Sequence, residues 1–215
     1  MFVVNRMTPN PVTVNSTTTV ADASEIMRRN KFRRLPVINI GSLVGIVTDR
    51  DLQEVSPSRA TTLSIFELNY LLSKVQVKEV MTKNVITIRD NATIEEAALL
   101  MYSNKIGGLV VVDENDSVVG IITETDIFKS FVDIMGLTSG KTRITIKLHE
   151  NKVGMLNKIT GIMTDMGINI NSMASYSIDQ EWELVIRADI TDITALSEKL
   201  ASIGYPITHV AQIGN

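Results

Sequence analysis

The order of apolar and polar positions at the start of the chain predicts a β-α-β-β-α unit. A short Thr-containing strand is predicted at Val12–Val14. A helix is predicted after it, because the apolar residues there recur at helical spacing. Two β-branched apolar runs, Leu35–Ile40 and Leu43–Thr48, have the length and composition of buried strands. A final helix begins near Asp49, whose carboxylate suits the positive end of a helix dipole.

The same unit recurs directly downstream, so the first part of the chain is an internal repeat. Met7-Thr8-Pro9 matches Met81-Thr82-Lys83, and Gly45-Ile46-Val47-Thr48-Asp49-Arg50-Asp51 matches Gly120-Ile121-Ile122-Thr123-Glu124-Thr125-Asp126. The elements predicted for the second copy are a strand at Val85–Ile88, a helix opened by a Thr93/Glu96 capping box, strands at Leu109–Val112 and Val118–Thr123, and a helix from Glu124.

The last part of the chain, after a break at Gly136–Gly140, has a different order of elements. These are a strand at Arg143–Leu148, a helix at Gly154–Met166, strands at Ile168–Ser177 and Trp182–Ile190, a helix at Asp192–Ile203 and a strand at Ile207–Ile213. This β-α-β-β-α-β order is ferredoxin-like. The sequence therefore predicts a mixed α/β (α+β) chain with two kinds of domain.

The predicted boundaries are residues 1–56 for the first copy, 57–79 for a connecting segment, 80–135 for the second copy, 136–142 for a linker and 143–215 for the C-terminal domain. The connecting segment is expected to hold a helix at Ser64–Lys74. Gly136–Thr142 has some likeness to a phosphate-binding P-loop, but its glycines are too close together and a strand follows it. We therefore interpret it as a linker.

Composition narrows the classes of function. The chain has 21 Lys and Arg against 24 Asp and Glu, a net charge of −3, so it lacks the overall positive field that favours DNA binding. It has no cysteine, and no catalytic grouping surrounds either histidine, His149 or His209, which argues against thiolate chemistry and a His-rich metal centre. It has no signal-like or membrane-spanning apolar run. We therefore expect a cytoplasmic protein with no metal, nucleic-acid or membrane partner.

Each copy of the repeat places a hydroxyl and a carboxylate at the join of a buried strand and a helix. The pairs are Thr48 with Asp51 and Thr123 with Asp126. At such a join a carboxylate can accept both hydroxyls of a ribose, while free helix N–H groups meet a phosphate. The same residues would also serve simply as helix caps.

A run of cations closes the first predicted helix: Arg28, Arg29, Lys31, Arg33 and Arg34. The first of these would complement the helix dipole, whereas Arg33 and Arg34 could pair with phosphate oxygens. The corresponding residues of the second copy are Gly107 and Gly108. We expect unequal pockets, with an arginine side for phosphates and a glycine side open to backbone approach. Which pocket each arginine faces is left open.

The doubled unit resembles the paired cystathionine-β-synthase-type (CBS) domains of regulatory proteins, on the motifs that begin at Gly45 and Gly120. The resemblance implies an adenine nucleotide, AMP or ATP, as a regulatory ligand, and assigns the adenine slot to the early strand residues. The implied nucleotide-binding residues are Thr13, Val14, Arg33, Arg34, Thr48, Asp51, Thr87, Ile88, Lys105, Gly108, Thr123 and Asp126.

The C-terminal unit resembles an ACT domain, a small-molecule sensing module, on Glu150–Leu156 before its helix and Gly167–Ile170 after it. The resemblance implies an effector site for an amino-acid-sized ligand at Gly154, Met155, Leu156 and Asn169. Most of the apolar residues of this helix would otherwise form a core stripe. Trp182 and the strand-rich edge favour pairing of two such domains, and hence a homodimer.

The combined architecture is similar to the acetoin-utilisation regulatory proteins of bacteria. We expect a regulator without catalytic residues or a catalytic cofactor, which binds an adenosyl ligand and acts on a metabolic enzyme. The alternative is a ligand-free structural adaptor that binds and regulates a partner enzyme. A stand-alone enzyme that uses the cleft is a further rival, and a DNA-binding protein is disfavoured because no helix-turn-helix is apparent.

Overall fold

The structure is a computed structural model that describes residues 1–55, 70, 73–148, 152–179 and 181–212. It divides into two compact units, Met1–Ile127 and Phe128–Asn215. Within the described residues, no helix has the length and apolar character needed to cross a membrane.

The first unit contains two similar sets of elements joined by a short helix. The first set is β1 (Thr8–Pro9), α1 (Val20–Asn30), β2 (Arg34–Asn39), β3 (Ser42–Thr48) and α2 (Asp49–Glu54). After α3 (Val77–Val80), the second set is β4 (Thr87–Arg89), α4 (Ile94–Asn104), β5 (Gly108–Val112), β6 (Val118–Thr123) and α5 (Glu124–Ile134). Helix α5 crosses the division between the two units. The helix predicted at Ser64–Lys74 lies largely outside the described residues.

Local side chains fix the ends of the repeated helices. At the start of α1 the Thr19 side chain accepts a hydrogen bond from the backbone of Asp22, and at the start of α4 Thr93 and Glu96 form the predicted capping box. Both helices end at a lysine with left-handed backbone, Lys31 with φ 57° and Lys105 with φ 54°. The two copies therefore leave their helices and enter the next strand in the same way.

The two copies exchange their first segments. Strand β1 of the first copy pairs antiparallel with β6 of the second, in a sheet of order β1-β6-β5-β4, while β2 and β3 form a separate two-stranded sheet. In the converse exchange, Thr82 bridges Ile46. The predicted strand at Val12–Val14 is wrong in extent. Only Val14 pairs, through one bridge to Val37, because it is the only one of the three side chains that is buried.

Each copy has its own apolar core beneath its helix. Helix α1 buries Val20, Ala23 and Met27 in the first core, and α4 buries Ile94, Ala97 and Met101 in the second. These residues lie at the positions that the helical period of the sequence predicts. The two cores hold the strand–helix joins at Thr48 and Thr123 in equivalent places.

The second unit has the predicted ferredoxin-like topology. Its elements are β7 (Thr142–Leu148), α6 (Met155–Asp165), β8 (Ile170–Ile178), β9 (Glu181–Ala188), α7 (Ile193–Ser202) and β10 (Ile207–Gln212). The sheet order is β10-β7-β9-β8, and each pair is antiparallel. Strand β8 begins later than predicted because Ile168 still belongs to the closing turn of α6, where its N–H donates to the carbonyl of Met163 at 2.8 Å.

Candidate functional site

The two strand–helix joins have nearly identical hydrogen bonds. In the first copy, the Thr48 backbone N–H and hydroxyl both donate to Oδ2 of Asp51, each at 2.8 Å. In the second, Thr123 donates in the same way to Oδ2 of Asp126, at 2.8 and 2.7 Å. In both pairs the carboxylate accepts from the residue that precedes its helix, as a helix-capping carboxylate does. The capping geometry fixes each carboxylate at the first turn of its helix.

A cavity of about 340 Å³ lies beside the second of these joins. Both copies contribute to its wall, because β1 is paired with β6. The first copy supplies Thr8, Pro11, Val12, Lys31, Phe32, Arg33 and Arg34, and the second supplies Gly107, Ile121, Thr123, Glu124 and Thr125. The wall thus combines apolar side chains, a hydroxyl at a helix start and a group of cations.

Arg34 extends from the first copy to the second. A Cβ atom added to Gly108 would overlap its Nη1 atom, and one added to Gly107 would lie 3.1 Å from both Arg34 Nη2 and Glu124 Oε2. Only residues without a side chain leave this space for the guanidinium. The expectation of separate arginine and glycine sides is therefore corrected: the two glycines accommodate Arg34 in the cavity that contains Thr123.

The charges around Arg34 come from both copies. Burial lowers the pKa of its guanidinium, while the carboxylates of Glu124 and Asp49 and, more weakly, Asp126 oppose that shift. Arg33 adds to the lowering because it is a neighbouring cation. The arginine that faces the cavity therefore lies in the field of the carboxylate predicted to bind ribose.

The structure does not bring the early strand residues to this cavity. Val14 and Ile88 are each 6% exposed and pack in the two cores, and Thr13 is exposed. Thr87 lines a different cavity of about 250 Å³ beside the strand turns. Thr8, Pro11 and Val12 line the candidate site instead, and sequence reasoning missed them because the pairing of β1 with β6 is a long-range feature.

The equivalent residues of the first join have other surroundings. Asp49, next to Thr48, lines a groove of about 470 Å³ with Lys31 and Arg33. Lys105 ends α4 as Lys31 ends α1, but only Lys31 lines the candidate cavity. The repeat therefore gives two joins of the same geometry, each beside a space lined by Lys31 and Arg33. Arg34 and the hydroxyl at the helix start, Thr123, line only the one at the second join.

The residues implied as an effector site in the second unit lie around the start of α6. Gly154 precedes the helix with φ 87°, a conformation that favours glycine. Leu156 is 41% exposed and Asn169 is exposed, whereas Met155 is 3% exposed and packs in the core. His149 and Glu150 lie outside the described residues, and His209 is exposed on β10.

The fold defines a modular protein, with a doubled β-α-β-β-α unit followed by a ferredoxin-like domain. The CBS domain model matches residues 3–58 and 77–133, and the ACT domain model matches residues 142–204. The chain therefore belongs to the CBS-domain family and carries a C-terminal ACT domain. Both are regulatory modules rather than catalytic families.

Solved structures similar to this chain cover its CBS pair. CBSX2 from Arabidopsis thaliana, in complex with AMP, is 33% identical with a TM-score of 0.52, and covers 62% of this chain and 97% of its own. The MJ0100 pair, in complex with 5′-methylthioadenosine and S-adenosyl-L-methionine, is 29% identical with a TM-score of 0.51, over 61% and 99%. A Vibrio cholerae protein provisionally assigned to acetoin utilization (AcuB) is 31% identical with a TM-score of 0.53, over 65% and 96%.

Among curated relatives, MJ1225 of Methanocaldococcus jannaschii is 36% identical over 128 residues. The match covers 57% of this chain but only 46% of that relative. The likeness is thus one of modules shared between proteins of different length.

Proposed function

We propose that the protein is a non-catalytic cytoplasmic regulator whose CBS pair binds an adenine nucleotide, AMP or ATP. The observation that carries the proposal is the cavity that joins Lys31, Arg33 and Arg34 to the helix start at Thr123. The AMP complex of CBSX2 supports an adenosyl ligand for this module. The apolar wall of Pro11, Val12 and Ile121 suits a purine base.

Charge favours a ligand with a phosphate over one with a sulfonium. Lys31, Arg33 and Arg34 line the cavity, and Glu124 is the acidic residue of its wall. Guanidinium groups offer paired donors that match phosphate oxygens, whereas a sulfonium gains nothing from three nearby cations. The MJ0100 complexes indicate that CBS pairs also take adenosyl ligands without phosphate. We therefore expect the cations of this chain to determine the choice between the two ligand types.

The carboxylate of Asp126 would bind the ribose. Hydrogen bonds from Thr123 hold it at the first turn of α5, directly after Glu124 and Thr125 of the cavity wall, although Asp126 itself is not among the lining residues. A carboxylate in that place can accept hydrogen bonds from two neighbouring hydroxyls, and the N–H groups of the helix start favour a phosphate.

The ACT domain would supply dimer contacts and a second effector site for an amino-acid-sized ligand near Gly154, Leu156 and Asn169. A nucleotide that prefers one arrangement of the subunits would transmit the signal by shifting the population toward it. The likeness to the Vibrio cholerae protein supports a metabolic enzyme of acetoin utilisation as the target.

The test is isothermal titration of AMP, ATP and S-adenosylmethionine into the full chain. Asp126→Ala and Asp51→Ala form a matched pair, because each removes the same carboxylate from an equivalent capping box. Loss of a charged hydrogen bond to the ribose should weaken AMP binding to Asp126→Ala by about 1.5–3 kcal/mol, roughly 10- to 150-fold. Asp51→Ala should bind AMP nearly as wild type does.

An equal loss of AMP affinity in both variants would contradict a site at the Thr123 join. If none of the three ligands produces heat and the melting temperature stays unchanged, the nucleotide-sensor proposal is contradicted and the ligand-free adaptor is favoured.

A further inference from the structure

The groove beside the first join and the cavity beside the second share part of their walls. Lys31, Phe32 and Arg33 line both the cavity of about 340 Å³ and the groove of about 470 Å³. These residues are consecutive, so one short segment, here called the cationic ridge, borders both spaces. Each of its two cations can therefore contact an anion in either space.

Backbone hydrogen bonds hold the cationic ridge at both ends. The N–H of Phe32 donates to the carbonyl of Met27 in the last turn of α1, and the carbonyl of Arg33 accepts from the N–H of Asp49, each at 2.9 Å. Because the backbone is held in this way, adjustment toward either space is left to the long side chains of Lys31 and Arg33.

The two cations of the ridge are exposed and form no ion pair with a carboxylate among the described residues. Arg33 lies instead beside another cation, since its charge helps to lower the pKa of Arg34. Neighbouring cations without a carboxylate partner attract an anionic ligand. The ridge therefore has unsatisfied positive charge at the border of the two spaces.

The groove adds further groups that suit phosphate oxygens. Arg28 of α1 lines it together with Ser24 and Gln53, whose side chains can donate hydrogen bonds, and Asp49 is the acidic residue of its wall. Arg28 does not line the cavity at Thr123. The groove thus provides one cation that is independent of the proposed nucleotide cavity.

The second copy has no equivalent ridge. Lys105, Ile106 and Gly107 stand in the places of Lys31, Phe32 and Arg33, and Tyr102 stands in the place of Arg28. Since α1 and α4 otherwise begin and end alike, the fold of the repeat does not require these cations. We expect one such groove in each chain.

We propose that the groove is a phosphate subsite, which takes the distal phosphates of a nucleoside triphosphate whose nucleoside lies in the cavity at Thr123. This inference rests on the proposed function, because it uses that cavity as the nucleotide site. The phosphate chain would pass the cationic ridge, where Lys31 and Arg33 donate to it, and end near Arg28. A monophosphate would reach the ridge but not the groove.

Isothermal titration of AMP, ADP and ATP into the full chain, at constant ionic strength and without magnesium, tests the subsite. Wild type should bind ATP more tightly than AMP, with ADP between them, because each added phosphate meets further cations. Arg28→Met should leave AMP binding unchanged. It should lower the ratio of ATP affinity to AMP affinity by about threefold or more, the effect expected for loss of a largely exposed charge pair.

Arg29→Met is the matched control. Arg28 and Arg29 each lie 3.5 Å from Glu25, and their side chains are 78% and 76% exposed, but only Arg28 lines the groove. Arg29→Met should therefore keep the wild-type ratio of affinities. An equal fall in both variants would mean that the ratio reports the general charge of α1, and would overturn the proposal.

Asp49→Asn should change the ratio in the opposite direction. Its carboxylate lines the groove and repels a phosphate there, so its removal should strengthen the binding of ATP more than that of AMP. Two variants of opposite sign cannot both result from a loss of folded protein. A ratio that falls or stays unchanged in Asp49→Asn would contradict phosphates in the groove.

Failure of the subsite and failure of the nucleotide site give different results. If neither AMP nor ATP binds, both are contradicted. If AMP binds and Asp126→Ala weakens it, but wild type and Arg28→Met have the same ratio of ATP affinity to AMP affinity, the nucleotide site is supported and the phosphate subsite is overturned.

Discussion

Arg34 begins strand β2 of the first copy, yet its guanidinium lies over Gly107 and Gly108 of the second. Arg34 and Gly108 occupy equivalent places in the repeat, so long side chains at both would compete for the same space. Gly108 of the second copy therefore leaves the space that the guanidinium of Arg34 from the first copy occupies. The sequence predicts that the two pockets are unequal. It does not predict which pocket Arg34 faces, because the spatial neighbour of Arg34 is set by contacts between the copies.

Gly108→Ala tests that relation. Its Cβ would overlap Arg34 Nη1 and lie 2.9 Å from the carbonyl oxygen of Ile122, so we expect a lower melting temperature and weaker AMP binding. Gly107→Ala is the milder control, because its nearest atoms, at 3.1 Å, end the flexible side chains of Arg34 and Glu124. Calorimetry of both variants should rank Gly108→Ala as the more damaging. The reverse order would mean that Arg34 is not held over Gly108.

The elements that were predicted correctly carry their own signals in the local sequence. The Thr93/Glu96 box and the apolar period of α4 lie within a few turns of helix, so they can be read without knowing the fold. Strand β1 has no such signal, because Thr8–Pro9 is short and its partner is Ile121 in the other copy. The missed wall of the candidate site, Thr8 to Val12, follows from this one pairing.

The Thr93/Glu96 box makes the stability of α4 depend on pH. Hydrogen bonds from the Thr93 backbone and side chain lower the pKa of Glu96 below its ordinary value of 4.5. A carboxylate whose pKa is lowered on folding stabilises the protein above the unfolded value, and that contribution is lost as the pH falls through the folded pKa. We therefore expect Glu96→Gln to be less stable than wild type near neutral pH, with the difference vanishing in acid.

Urea unfolding from about pH 7 to about pH 3 measures this difference. Glu95→Gln removes the same charge from the same helical turn and leaves the box intact, so its stability difference should depend less on pH. Identical pH profiles for the two variants would rule out the Thr93/Glu96 box as the source of the pH-dependent stability.

At the scale of the whole molecule, the edges of the ACT sheet bear on how two copies of the chain would associate. The ACT sheet of order β10-β7-β9-β8 ends in two edge strands within the described residues. Strand β8 is the longer, has no charged residue, and exposes 40% of Met173 and 58% of Ile178. A long, uncharged edge that exposes apolar side chains tends to pair with another chain. A homodimer in which β8 pairs with β8 of a second copy would cover it.

Sedimentation velocity over a range of protein concentrations tests this arrangement. Lysines are the residues that natural proteins use to block edge pairing, so Met173→Lys with Ile178→Lys should weaken dimerisation by at least about tenfold. Val210→Lys places the same charge on the other edge strand, β10, at a residue that is 46% exposed, and should leave the dimer intact. If Val210→Lys dissociates the dimer and the β8 variant does not, the ACT domains pair through β10.

A nucleotide can shift the subunits only if it prefers one of their arrangements. Sedimentation of the wild type with saturating AMP should therefore give a different dimerisation constant from that measured without AMP.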